Sequence, residues 1–496
     1  MKQFLCALFM GALVLALAPW QASAAQDEQG KMIDELRKEI QELRGEMKKQ
    51  KQSYENKLGV MQQKLDSLSR QVESKEPSGE EELSATLAKQ KGGEAASDEV
   101  SGVAAAIQSM NPQISVIVDT IYYKDDTEHG FSALTQEMAG FGDSHGHDHE
   151  HSHEHGLDQG FNLRHLELAF SAEVDPYFKG YANVAVTEDN AEIHEAYIDT
   201  SSLPWGFKLR AGKFFSNFSR INRQHTHEWD FVDAPLIYTL TLGDHRLLDK
   251  GVQLSWLAPT PFHLLFGVEA LQGDNEKMFN YIGGEHLPDK DGPRLWVGWV
   301  KYSPNLPAGH GLELGPYFAR GVNQEAHDGN GDGTEDHWLN GYSQFYGLDL
   351  VYKYDSGRAY GEGDLILQAD YFRRKKDLTV DQHDLAPAVA GNDRTATQDG
   401  YYVQGVYGFL PRWRAGLRWE QVGLTNEDTF PNGASADYDS SWRLTGMVDF
   451  TPSHFSRLRL QSAYGSYAMD DGEDQEAWQV WLQFMVSLGT HGAHTF

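Results

Sequence analysis

Along the stretch Ile114–Phe496, apolar side chains recur at every second position, and few folds can satisfy that pattern. Trp478, Val480, Leu482, Phe484, Val486 and Leu488 form one such row, with Gln479, Gln483 and Ser487 between them. Successive side chains of a strand point to opposite faces, so this row reads as a strand with one apolar and one wet face. Trp413, Ala415, Leu417 and Trp419 alternate in the same way with Arg414, Arg418 and Glu420. So do Trp442, Leu444, Val448 and Phe450 with Arg443, Thr445 and Asp449, and Leu365, Leu367, Ala369 and Tyr371 with Gln368 and Asp370. A soluble sandwich would turn the apolar face inward. Long strands that repeat Arg, Asp and Gln on one face suit the reverse arrangement, with lipid outside and a polar lumen within.

The connections separate those two cases. Alternate links are short and often Pro-containing, as at Asp175-Pro176, Pro259-Thr260-Pro261, Leu410-Pro411 and Thr451-Pro452-Ser453. The other links are mostly long, polar and acidic, at 124–160, 216–250, 273–291, 322–341, 375–398 and 423–440. Short turns at one rim and long loops at the other mark an outer-membrane barrel. About 16 strands can be placed, an even number that leaves both ends on the short-turn, periplasmic side. The fold class is therefore an all-β transmembrane barrel with antiparallel strands, preceded by an α-helical coiled coil. A large soluble all-β protein is the competing reading.

The domain plan follows from composition shifts. Residues 1–24 read as a signal peptide: Lys2 is the positive start, Leu5–Leu17 the apolar run, and Ala22-Ser23-Ala24 the small-residue cleavage site. The only cysteine, Cys6, lies in that segment, so disulfides, thiolate metal sites and cysteine catalysis are not expected of the mature chain. Within 25–76, Ile33, Ile40, Met47, Tyr54, Met61 and Leu68 recur every seven residues, with Leu36 and Leu43, then Leu58, Leu65 and Val72, at the partner position, and the rest is mostly Lys, Glu, Gln and Arg. So narrow an apolar seam needs partner helices. The expectation is a periplasmic coiled coil about 65 Å long that joins protomers, most simply three; a single helix lying on the barrel base is the alternative. Residues 77–112 read as a Gly-, Ser- and Glu-rich linker, and 113–496 as the barrel. The formal charge of −31 argues against nucleic acid as a partner. The expected surroundings are outer-membrane lipid and further copies of the chain. No serine–histidine–acid spacing stands out, so an enzyme is not expected.

Three segments carry metal-ligating chemistry. His145, His147, His149, His151, His153 and His155 alternate with small or acidic residues. Neutral imidazole favours Zn, Cu and Ni, and a flexible tract offers many equivalent ligand sets, which suits weak, fast capture at the mouth. In the long loop 216–250, His225 and His227 stand beside Glu228 and Asp230. These four are candidates for an ordered metal site at a constriction, with Trp229 packed on the wall; a loop that plugs the pore, its histidines paired to neighbouring acids, is the plainer reading. A third segment, Asp328, Asn330 and Asp332 among glycines, offers alternating oxygens suited to calcium. Leu339 stands where the twelfth-position Glu of an EF-hand would be, so this motif is partial.

The layout of leader, coiled coil and barrel resembles porins with N-terminal coiled-coil extensions, such as the phosphate-selective porin group. The anion path of that group is not carried over, because Arg210, Arg414, Arg418, Arg443 and Arg459 are matched by Glu167, Glu269, Asp349, Asp370 and Asp449. A narrower likeness rests on four segments: Arg164-His165-Leu166-Glu167, Gly212-Lys213-Phe214-Phe215-Ser216, Gln224 through Phe231, and Trp256-Leu257-Ala258-Pro259-Thr260-Pro261. With the terminal Gly489–Phe496, they resemble zinc-regulated outer-membrane proteins described as TonB-dependent receptors. That resemblance implies metal uptake when zinc is scarce. A TonB-dependent receptor needs a globular plug in a 22-stranded barrel, whereas only Ala25–Asn111 precedes the first strand here. The reading favoured by the residues is a passive or loop-gated channel for metal ions, zinc first. The alternatives are a non-conducting barrel that displays metal-binding or adhesive loops, and a TonB-linked receptor.

Overall fold

The computed structural model describes residues 113–142, 156–187, 190–284, 286–327 and 335–489. The leader, coiled coil and linker expected at 1–112 lie outside these residues, as do the histidine tract 145–155, the calcium candidates Asp328, Asn330 and Asp332, and the terminal segment after Gly489.

The first eight strands are β1 (Gln113–Asp125), β2 (Gly160–Glu173), β3 (Phe178–Val186), β4 (Ala191–Thr200), β5 (Phe207–Phe215), β6 (Leu248–Leu257), β7 (His263–Leu271) and β8 (Leu295–Ser303). Five longer ones follow: β9 (His310–His327), β10 (His337–Tyr354), β11 (Leu365–His383), β12 (Asp393–Leu410) and β13 (Trp413–Thr429). The last are β14 (Ser435–Asp437), β15 (Ser441–Ser453), β16 (Ser456–Ala468) and β17 (Asp474–Gly489). Every pairing is antiparallel, and β1 is bonded to β2 on one side and β17 on the other, so the sheet closes on itself and its edges pair. The three-residue β14 forms a small hairpin with the outer end of β13, which pairs onward to β15. The wall is therefore a closed antiparallel barrel of 16 strands.

Outward-facing and lumen-facing residues separate as alternation requires. On β17, Leu482, Phe484 and Leu488 are 44%, 51% and 56% exposed, while Gln479, Gln483 and Ser487 are at most 3% exposed. The apolar row is on the outside. Outward aromatics touch one another across β13, β15, β16 and β17, through Trp419–Trp442, Trp442–Tyr464 and Tyr464–Trp478. A second set, with Trp413–Phe450 and Phe207–Trp256, stands toward the short-turn rim. An apolar band between aromatic girdles is the exterior of a membrane-spanning barrel. Among the described residues, no helix is long and apolar enough to cross a membrane.

Two expectations need correction. The links 322–341, 375–398 and 423–440, read as long loops, are largely strand: β9 runs to His327, β11 to His383 and β13 to Thr429. Beyond the apolar band the outward residues become polar and the apolar row stops, but the ladder continues because its bonds are backbone to backbone. The lumen is also not wet all round. Residues 216–247 run through the interior, carrying the short helices α1 (Arg220–Arg223) and α2 (Leu236–Leu242). Phe218 and Tyr238 of this loop pack with inward Trp299, Tyr317, Phe345 and Phe372 in an apolar cluster on the side of β8–β11. Where the loop buries its own apolar residues, the facing wall must be apolar too.

Candidate functional site

The inner loop is held around much of the barrel wall. On one side, arginines of β13 and β15 clamp its acids. Arg414 binds Asp230 at 3.0 Å and Asp449 at 2.6 Å, and Asp233 sits between Arg418 at 2.8 Å and Arg443 at 2.7 Å. Burial alone would raise the Asp233 carboxyl, but the two guanidiniums outweigh it and hold it below the usual carboxylate range. Arg459 and Arg457 donate to the loop carbonyl of Trp229. On the other side, the backbone N–H of Arg220 donates to Asp349 at 2.8 Å, and the Tyr238 hydroxyl to Asp370.

The histidines of the loop meet a different wall. His225 Nε2 lies 2.8 Å from Glu195 on β4, and its Nδ1 lies 3.4 Å from Glu167 on β2. His227 Nδ1 is 3.3 Å from the same Glu167 oxygen, and His165 Nε2 is 2.8 Å from the other. Three imidazoles therefore surround one carboxylate that is 1% exposed. Asn183 donates to it as well, at 3.1 Å. Local backbone irregularities set this up. A bulge in β2 leaves Arg164 out of the ladder opposite Asp119/Thr120, and its guanidinium binds Asp119 and the Val232 carbonyl. A second bulge, in β4, skips His194, so that it stands next to inward-facing Glu195. Bulges re-aim side chains without breaking the ladder on either side. Beyond His194 toward the outer rim, Glu192, His194 and His245 hold their ligand atoms within 4.8 Å of one another.

Of the loop residues nominated from sequence, His225 and His227 are brought together, with rings 5.6 Å apart. Glu228 caps the turn below them by accepting from the His225 backbone N–H at 3.2 Å. Asp230 is turned away to Arg414. The grouping of His165, Glu167, Glu192, His194, Glu195 and His245 with this pair is not among the sequence expectations. Its only local trace is the spacing of His165 with Glu167 and of Glu192 with His194, each pair two residues apart and so on one face of a regular strand.

Two carboxylates buried among imidazoles need positive charge. Burial works against a charge on His225, but Glu167 and Glu195 beside it prevail and hold its imidazole up at about 9. With the folded value raised, the stabilisation is complete below the unfolded value of about 6.5 and is lost as pH rises through about 9. In chelator-treated protein, the unfolding temperature is expected to fall between those limits. His225→Gln should flatten that fall; an unchanged slope in the variant would count against the pairing.

No family model matches the chain. Three solved structures are similar to it at low identity. OmpT of Vibrio cholerae in its trimer form is 12% identical, with a TM-score of 0.46, covering 76% of this chain and 99% of that one. The outer membrane channel DcaP of Acinetobacter baumannii is 14% identical, with a TM-score of 0.44, over 76% and 96% of the two chains. The anion-selective porin from Comamonas acidovorans is 12% identical, with a TM-score of 0.44, over 76% and 99%. An uncharacterized protein of Aquifex aeolicus is 36% identical over 362 residues, which is 71% of this chain and 73% of that protein. At that identity and over that length, the chain belongs to the same family as the Aquifex aeolicus protein.

Proposed function

We propose that the chain is an outer-membrane channel of a Gram-negative cell, closed by its inner loop, that admits divalent transition-metal ions, zinc first. One observation carries the reading: a buried carboxylate ringed by three histidines, with a second carboxylate beside it, where the loop meets the wall. Neutral imidazoles with carboxylates select zinc-like ions over calcium or magnesium. A divalent ion there would supply the charge that the His225 proton supplies in its absence, and would displace that proton. His245, Glu192 and His194 would pass the ion from the outer rim to this cluster. The tract His145–His155 would raise its concentration at the mouth, and the coiled coil would join three such barrels. The zinc-regulated likeness of the segments around His165 and His225 agrees with this reading.

The loop's contacts with opposite walls also favour a second reading, a closed barrel that binds metal without conducting. Full-length chain in liposomes loaded with a zinc-sensitive dye separates the two. A channel lets zinc in and gives steps in a planar bilayer. Metal binding with neither influx nor steps would leave only the closed scaffold. Removing the tract 145–155 should slow influx at limiting zinc and leave it unchanged at saturating zinc.

A further inference from the structure

A separate constellation stands on β9, β10 and β11. His337 is directly opposite His327 on one side and His383 on the other, so three histidines form one row across three strands. Their rings stack at 5.0 Å and 4.7 Å between centroids. Asp336 closes the row, with Oδ1 2.8 Å from His337 Nδ1. Ligand atoms of Asp336, His337 and His383 all lie within 4.8 Å of one another.

The row depends on a bulge. On the outer half of β11 the buried, lumen-facing side chains are Phe372, Arg374, Leu378 and Val380. Simple alternation would turn His383 outward. The ladder instead pairs Trp338 with Gln382 and Leu339 with Val380, leaving Asp381 as an extra residue. That residue returns His383 to the inward face beside His337. Just below, His327 lines a cavity of about 320 Å³ at the outer mouth. Glu325, which touches His327 at 3.3 Å, is already matched by Lys376 at 2.7 Å. Asp336 is therefore the anion best placed to balance an ion on the row.

We propose that Asp336, His337 and His383, with His327 at the flank, bind a divalent ion of the zinc, copper and nickel class at the outer mouth. Donors in a tetrahedron with bonds of about 2.0–2.1 Å stand about 3.3 Å apart, so small side-chain rotations close the present spacing. Binding through Nδ1 of His383 would replace the 3.2 Å hydrogen bond it accepts from the Ala386 backbone. The site does not depend on conduction.

The test is zinc binding to the full-length chain in detergent, counted by competition with a chelating dye. His337→Asn/His383→Asn is expected to bind one zinc fewer per chain than wild type. Asp336→Asn should weaken that same zinc about 10–100-fold. An unchanged count in the double variant, with its heat-resistant folded form intact, overturns the proposal. Wild-type protein supplies a check that needs no substitution. Zinc should protect His337 and His383 from diethyl pyrocarbonate, and leave His310, bonded to Tyr352 at the other end of β9, reactive. Equal modification of all three with and without zinc would equally overturn it.

Discussion

Replacing residues 217–246 with a short turn is expected to convert a plugged barrel into an open one, with planar-bilayer steps the size of an unobstructed sixteen-stranded pore. The ladder permits the change. Phe215 and Leu248, which flank the loop, are direct partners on β5 and β6, so a tight hairpin turn can join the strands there. What is lost is the span from the arginines of β13 and β15 to Asp349 and Asp370 on the other side. A barrel of this strand number without an inner obstruction holds an aqueous channel. The variant should also unfold at lower temperature, because Phe345 and Phe372 lose the apolar cover of Phe218 and Tyr238. Steps no larger than wild type would show that the loop does not occlude the lumen.

The second large effect concerns Glu167. Its carboxylate is the shared partner of His165, His225 and His227 and is almost fully buried. Removing one side of a buried charge pair typically costs about 3–5 kcal/mol, because the remaining charges keep their burial and lose their partner. Glu167→Ala is expected to lower stability by about that much in denaturant unfolding and to stop zinc influx. Glu167→Gln retains the shape and an acceptor for Asn183 but not the charge, and should weaken zinc about 10–100-fold while the barrel still folds. Wild-type zinc influx through both variants would remove Glu167 from the path.

Several features of the site can be approached from sequence and several cannot. His225 and His227 stand out because both sit in one loop with acids around them. In sequence Asp230 is equivalent to Glu228, yet the barrel gives it to Arg414 on a different wall. His165 on β2, and His194 beside Glu195 on β4, carry no strong local signal, since a His or Glu on a polar strand face is ordinary. The row His327, His337 and His383 is hidden for a related reason: its members fall in two stretches that read as long loops and prove to be paired strand.

The barrel fold class, the division of each strand into an apolar outward face and a polar lumen face, and the short turns at one rim were determined by the order of residues alone. Lipid imposes an apolar side chain at every second position, and that demand is written along each strand locally. Which donors meet was decided only by the closed barrel. Side chains on different strands come together through hydrogen-bond register, and one extra residue in a bulge reverses the face of everything beyond it. Register and bulges are properties of paired strands, so no single segment carries them.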